Sequence, residues 1–101
     1  MQANRKSYIA GELLKEVRLD KDQSNLEISS ISSDSRNILD KSIFFAIKGT
    51  RLNGNNFIGE AFQKGASLIL SDQKKFENKN VIYFSNLRDY LGIIASRYYE
   101  N

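Results

Sequence analysis

The sequence predicts a small single α/β domain with a short mixed sheet flanked by helices. Two observations carry this reading. Three apolar runs, "SIFFAIKG", "SLILSD" and "VIYFSN", are rich in β-branched and aromatic residues and are too short for helices. Between and after them, apolar residues recur at steps of three and four in "NNFIGEAFQKGA" and "NLRDYLGIIASRYYEN", the spacing of one helix face. Strand and helix in alternation is the signature of layered α/β architecture. The chain has 101 residues, 41% hydrophobic, with six Phe and five Tyr, which suits one compact domain with one core.

Each element has its own signal. "SYIAGELLKEV" places Ile9, Leu13 and Leu14 at helical spacing, a short helix weakened by Gly11 and ending before the polar run "DKDQSN". In "LEISSIS", Leu26, Ile28 and Ile31 point inward as a strand, with a slip near Ser29 and Ser30. The strand leads into "SDSR", a cluster of small polar residues that favours a turn or cap. "SIFFAIKG" is a buried strand. In the helix that follows, Phe57, Ile58, Ala61 and Phe62 share a face, Asn55 or Asn56 is the N-cap, and Gly65 stands where a left-handed terminating residue belongs. "SLILSD" and "VIYFSN" are strands separated by the charged loop "QKKFENK". The last helix aligns Leu87, Tyr90, Leu91, Ile94, Ala95 and Tyr98, with Asn86 and Asp89 as a relative of the capping box.

Composition narrows the chemistry. The absence of Cys removes disulfides, thiolate nucleophiles and thiolate metal sites, and the absence of His removes the commonest general base and transition-metal ligand. A net charge of +3 is dispersed rather than gathered into a basic cluster, which argues against a nucleic-acid partner. No apolar run approaches the ~20 residues of a membrane span, and "MQANRKSYIAGELL" lacks a signal-peptide core. A cytoplasmic location, with no membrane partner, is the expectation.

Three strings are candidates for binding. "GTRLNGNNF" has glycines where a phosphate-binding loop would place them, but Asn55 and Asn56 occupy the Lys and Ser/Thr places, so neither the phosphates nor Mg²⁺ of ATP would be held in the usual way. The competing reading is a plain strand-to-helix loop whose glycines permit tight turns. "IYFSNL" fits the shorter motif of RNA-recognition domains, in which an aromatic, here Tyr83, stacks a base. That motif belongs on a first strand with a second aromatic motif downstream, and the chain ends too soon for one. "SDSR", Ser33 to Arg36, offers short hydrogen-bonding side chains and a guanidinium suited to phosphate or carboxylate, or else simply caps a turn.

Taken together these strings resemble one family pattern. Asp34-Ser35-Arg36, the run Ser42 to Gly49, Asn53-Gly54, Phe57-Ile58, Ala61 and Gly65-Ala66 occur in the order and spacing found in the N-terminal domain of the Mur ligases. The tail "VIYFSNLRDYLGIIASRYYEN" is similar to the MurE branch, whose members add the third peptide residue, meso-diaminopimelate or lysine, to UDP-N-acetylmuramoyl-L-alanyl-D-glutamate in peptidoglycan synthesis. The N-terminal domain of MurF and a small RNA-binding module are the alternatives. The sequence departs from the pattern at Asn53, where Asp is usual, at Asn55, where His is frequent, at Asp40-Lys41, where Pro-Gly is common, and at Thr50, where some members have His.

The resemblance implies that residues 1–101 form the domain that grips the UDP end of the substrate. Ser33, Ser35, Arg36, Thr50, Arg51, Leu52, Asn53 and Gly54 are the implied substrate-binding residues. Thr50, Arg51 and Leu52 would read uracil and ribose, and Ser33 and Ser35 would bond the uridine and diphosphate. Arg36 either neutralises the diphosphate or ties the strand end to a carboxylate. No catalytic residue, metal ligand or cofactor is implied in this domain. ATP and Mg²⁺ would serve the full-length ligase through central and C-terminal domains of the same chain, and Asn101 falls where the linker to them begins. The fragment alone is expected to be inactive.

Overall fold

The structure, a computed structural model, describes residues 7–100, apart from the side chain of Glu100. The stretch read for a leader therefore lies partly outside the described residues, and Asn101, read as the start of a linker, lies wholly outside.

Strand β1 (Tyr8–Ile9) runs into helix α1 (Ala10–Leu13). The first expected helix is thus confined to one turn, because Tyr8 and Ile9 pair antiparallel with β2 (Glu27–Ile28). The Glu12 carboxylate accepts the Ile9 N–H at 3.1 Å. Gly11 lowers helix propensity but gives room to a neighbour, since a Cβ there would lie 2.2 Å from Ser24 Oγ. The polar run that follows is not a plain loop. It forms α2 (Lys21–Ser24) through a capping box, in which Gln23 N–H donates to Asp20 Oδ1 at 2.7 Å and Asp20 N–H to Gln23 Oε1 at 2.9 Å.

The slip in "LEISSIS" falls where the pattern places it. β2 ends at Ile28 and β3 (Ser30–Ser32) enters a different sheet. Ser29, between them, donates its N–H to the Lys41 carbonyl at 2.8 Å and its hydroxyl to the Asp40 carbonyl at 3.0 Å. β4 (Ser42–Ala46), β5 (Ala66–Ser71) and β6 (Val81–Tyr83) complete a parallel sheet in the order β3-β4-β5-β6. Parallel and antiparallel pairings therefore both occur, on either side of Ser29, and the α/β class holds.

All five residues of β4 are buried because both faces of the sheet are covered. On one face Ile43, Phe45, Leu68 and Leu70 join Leu13, Leu14, Leu87, Tyr90 and Ile94. On the other, Phe44, Ala46 and Ile69 join Ile58 and Ala61 of α3 (Ile58–Gln63). Gly65, with φ 108, takes the left-handed position expected of it. Helix α4 (Leu87–Glu100) closes the fold. Asn86 precedes it with φ 54, which is not the extended geometry of a capping residue; its carbonyl accepts the N–H groups of Asp89 and Tyr90, both at 3.1 Å. Among the described residues no helix is long and apolar enough to cross a membrane.

One ionic cluster fastens α4 to the turn after α1. Arg97 pairs with both oxygens of Glu16 and donates to the Leu13 carbonyl at 2.7 Å, while the Tyr90 hydroxyl donates to Glu16 Oε1 at 2.6 Å. These hydrogen bonds, that of Arg97 foremost, hold the Glu16 carboxyl at about 2 against an ordinary 4.5. A depressed carboxyl pKa adds stability that is complete above the unfolded value and lost as pH falls through the folded one. Glu16 is 45% exposed, so screening limits the contribution to about 1 kcal/mol. Glu16→Gln should be less stable than the parent by about that amount at pH 7. The gap should close between pH 4.5 and about 2, as read by urea denaturation across that range.

Candidate functional site

The site lies beyond the carboxyl ends of β3 and β4, the edge at which parallel α/β sheets usually hold ligands. Two segments build it. After β3, Asp34 caps the tight helical turn Ser35–Asn37, its Oδ1 accepting the Arg36 N–H at 2.9 Å. The Arg36 guanidinium grips both carboxylate oxygens, from Nε at 3.0 Å and from Nη2 at 2.8 Å. This bidentate pair holds the Asp34 carboxyl down to about 2. Of the two roles open to Arg36, the carboxylate tie is the one the geometry displays.

After β4 the chain folds back on itself. Lys48 bridges Asn53, the Gly49 N–H donates to the Leu52 carbonyl at 2.8 Å, and the Gly54 N–H donates to the Ile47 carbonyl at 2.8 Å. Neither glycine is required for positive φ here; close approach requires them. A Cβ on Gly49 would lie 2.9 Å from the Leu52 carbonyl oxygen, and one on Gly54 2.9 Å from the Ile47 nitrogen. Thr50, Arg51 and Leu52 form the exposed tip.

A buried amide holds this loop from behind. Asn55 is 5% exposed. Its Nδ2 donates to Asp72 Oδ1 and to Asn53 Oδ1, each at 2.9 Å, while its Oδ1 accepts the Ser71 hydroxyl at 2.5 Å. A carboxylate only accepts, so the nitrogen must face Asp72. Asp72 in turn accepts the Lys48 N–H at 2.9 Å, which ties both legs of the loop to the end of β5. The expected cap at Asn55 or Asn56 is corrected: a tight helical turn over Gly54–Phe57 precedes α3, which moves the start upstream, and Asn53 accepts the Asn55 N–H at 3.0 Å. Asn55 stands at the lysine place of a phosphate loop, and its amide is consumed inside the protein. The residues here do not fit a triphosphate and its magnesium.

The turn and the loop enclose one cavity of about 270 Å³. Ser33, Asp34, Ser35 and Arg36 line one side, Leu52 and Gly54 the other, with Phe44, Ile47 and Phe57 as its apolar surface. Five of the eight residues singled out in the sequence, Ser33, Ser35, Arg36, Leu52 and Gly54, therefore meet in one space. Thr50 and Arg51 stand at the tip outside its lining, and Asn53 is engaged as a cap. Sequence reasoning missed Asn55, Ser71 and Asp72 as the clamp. It also missed Lys64, whose ammonium donates to the Ser35 carbonyl at 2.8 Å and pairs with Glu60 at 2.9 Å. Tyr83 sits on the edge strand with the Lys74 ammonium 5.1 Å from its ring centroid. Both faces of the sheet are packed, so RNA bases find no open sheet to stack on among the described residues.

A family model described as "Mur ligase family, catalytic domain" matches residues 27–99. The chain belongs to the Mur ligase family. It is 42% identical over 98 residues to the UDP-N-acetylmuramoyl-L-alanyl-D-glutamate–2,6-diaminopimelate ligase of Clostridium tetani, a match covering 89% of this chain and 20% of that protein. With the ligase of the same name from Fusobacterium nucleatum it shares 36% over 96 residues, 93% of this chain and 19% of that one. The chain thus spans about a fifth of the length of these relatives. Among solved structures, a MurF from Acinetobacter baumannii superposes with TM-score 0.71 at 22% identity over 94% of this chain and 22% of that one, a likeness of fold. The MurF ligase of Thermotoga maritima in complex with ADP matches with TM-score 0.59 at 27% identity, over 65% of this chain and 16% of that one.

Proposed function

We propose that residues 1–101 are the substrate-anchoring domain of a MurE-type ligase. The domain grips the UDP end of UDP-N-acetylmuramoyl-L-alanyl-D-glutamate while other domains of a longer chain, with ATP and Mg²⁺, form the amide bond to the third peptide residue. The names of the relatives favour 2,6-diaminopimelate over lysine as that residue. This assignment makes the working location the cytoplasm. The observation that carries the reading is the single cavity shared by Ser33–Arg36 and the loop ending at Gly54.

The chemistry of uracil suits such a place. One edge of the base presents an acceptor, a donor and an acceptor, which backbone groups of a bent loop can match without dedicated side chains. Gly49 and Gly54 use their N–H groups to close the loop, which leaves the amide of Leu52, at the cavity wall, unengaged among the described residues and available to the base. Those of Thr50 and Arg51, also unengaged, lie outside the lining and would reach the ligand only at the rim. Leu52, 71% exposed, covers a ring face. The hydroxyls of Ser33 and Ser35 meet the ribose and diphosphate. Arg36 orders the turn through Asp34, and its remaining N–H groups stay free to face phosphate. A cavity of about 270 Å³ holds a nucleoside rather than the whole substrate.

Titration calorimetry with nucleoside diphosphates tests the assignment. UDP should bind with a dissociation constant in the range of about 10 μM to 1 mM. CDP exchanges a carbonyl for an amine and a donor for an acceptor along the same edge, so it should bind about tenfold or more weakly. Equal affinity for UDP, CDP and ADP would remove uracil recognition from the account.

A further inference from the structure

We infer that Lys64 is a positioning residue of the nucleotide pocket, acting through Ser35. The inference deepens the uridine-binding reading and rests on it. The hydrogen bonds that shape the Ser33–Arg36 turn are local: Asp34 N–H to Ser32 Oγ at 3.0 Å, Arg36 N–H to Asp34 Oδ1 at 2.9 Å, and Asn37 N–H to the Asp34 carbonyl at 2.9 Å. Such bonds fix the form of the turn, and the pairing of β3 with β4 up to Ser32 and Phe44 places its base beside the opposite wall. Beyond the end of that ladder, Lys64 adds a tether at Ser35. Helix α3 grows directly out of the Gly54 wall through the tight turn Gly54–Phe57, and Lys64 is its C-terminal capping position. From there the ammonium donates to the Ser35 carbonyl at 2.8 Å, held from the other side by Glu60, one turn earlier, at 2.9 Å. Both walls of the cavity are therefore referenced to one short helix, at its start by covalent continuity and at its end by a charge-assisted hydrogen bond. Lys64 does not line the cavity, so its effect on a ligand passes through Ser35.

The side chain is 38% exposed, which makes its replacement compatible with folding. The experiment measures UDP affinity and thermal stability for the parent, Lys64→Met, Lys64→Arg, Ser35→Ala and the double variant Ser35→Ala/Lys64→Met. Lys64→Met should weaken UDP binding by about five- to tenfold with little change in melting temperature. Lys64→Arg, which keeps a donor for the carbonyl, should stay within about twofold of the parent. Ser35→Ala keeps the carbonyl that Lys64 holds but removes the hydroxyl that this contact positions, so in that background the Met substitution should cost less than in the parent. Unchanged affinity in Lys64→Met overturns the positioning role while leaving the pocket assignment standing. An equal loss in both backgrounds also overturns it, since the effect would then not pass through the Ser35 side chain. A parent chain that does not bind UDP at millimolar concentration removes both the pocket assignment and this role.

Discussion

Asn55→Ala should lower the free energy of unfolding by about 2–3 kcal/mol, a large effect for one polar residue. The side chain is 5% exposed and satisfies three partners from three segments: Asn53, Ser71 and Asp72. Truncation leaves Asp72 Oδ1 short of its partner, while the Ser71 hydroxyl keeps the Gln73 carbonyl at 3.1 Å as an acceptor, and an unmatched polar group costs more than an average hydrogen bond contributes. Asp72 also holds the Lys48 N–H, so the damage should reach the other leg of the loop. Urea denaturation reads the stability, and amide exchange at Gly49 and Gly54 should accelerate more than exchange in β4. Asn55→Asp should be no better, although it is isosteric, because it sets a carboxylate against Asp72 Oδ1. A change below about 0.5 kcal/mol in Asn55→Ala would mean that the clamp does not hold the loop.

Gly54→Ala should abolish measurable UDP binding and cost about 1–3 kcal/mol in stability. The added carbon would press on the backbone of the adjoining Ala46–Ile47 stretch: the Ile47 nitrogen at 2.9 Å, the Ile47 oxygen at 3.1 Å and the Ala46 Cα at 3.2 Å. None of these can rotate away as a side-chain tip could. The bond from the Gly54 N–H to the Ile47 carbonyl must lengthen, and the loop wall with Leu52 moves off the Ser33–Arg36 turn. Gly59→Ala is the internal control. It lies on α3 with nothing within 4 Å of the added carbon, so it should stabilise by about 0.5–1 kcal/mol and leave UDP binding alone. Parent-like UDP affinity in Gly54→Ala would separate the loop from nucleotide recognition.

What could be read from the sequence followed the range over which each signal acts. β4 and β5 were legible because burial on both faces writes a continuous apolar run, and the break at Ser29 because the inward pattern loses its register there. The one-turn helix after Asp20 was legible in principle as Asp-x-x-Gln, but a polar run with no apolar stripe gives helix periodicity nothing to count. Tyr8 and Ile9 carry spacing equally suited to a helix face, and only their partner β2 decides for a strand. At the site, the turn and the loop were each ambiguous alone; the ordered set of family-like spacings joined them. The clamp was invisible for a different reason. Asn55 meets residues 16 and 17 positions away, and no local rule anticipates that a Ser-Asp pair at a strand end will receive a buried amide. Asn53, one of the departures from the family-like pattern, presents the oxygen that accepts the Asn55 N–H.

The central claim is that the Ser33–Arg36 turn and the Gly49–Gly54 loop form one uridine-nucleotide pocket. Its most direct test is an amide-shift titration of the isotopically labelled chain with UDP. The account predicts saturable shifts in both segments with a single dissociation constant, and little change around Tyr83. Shifts confined to one segment, or silence in both at millimolar UDP, would contradict it.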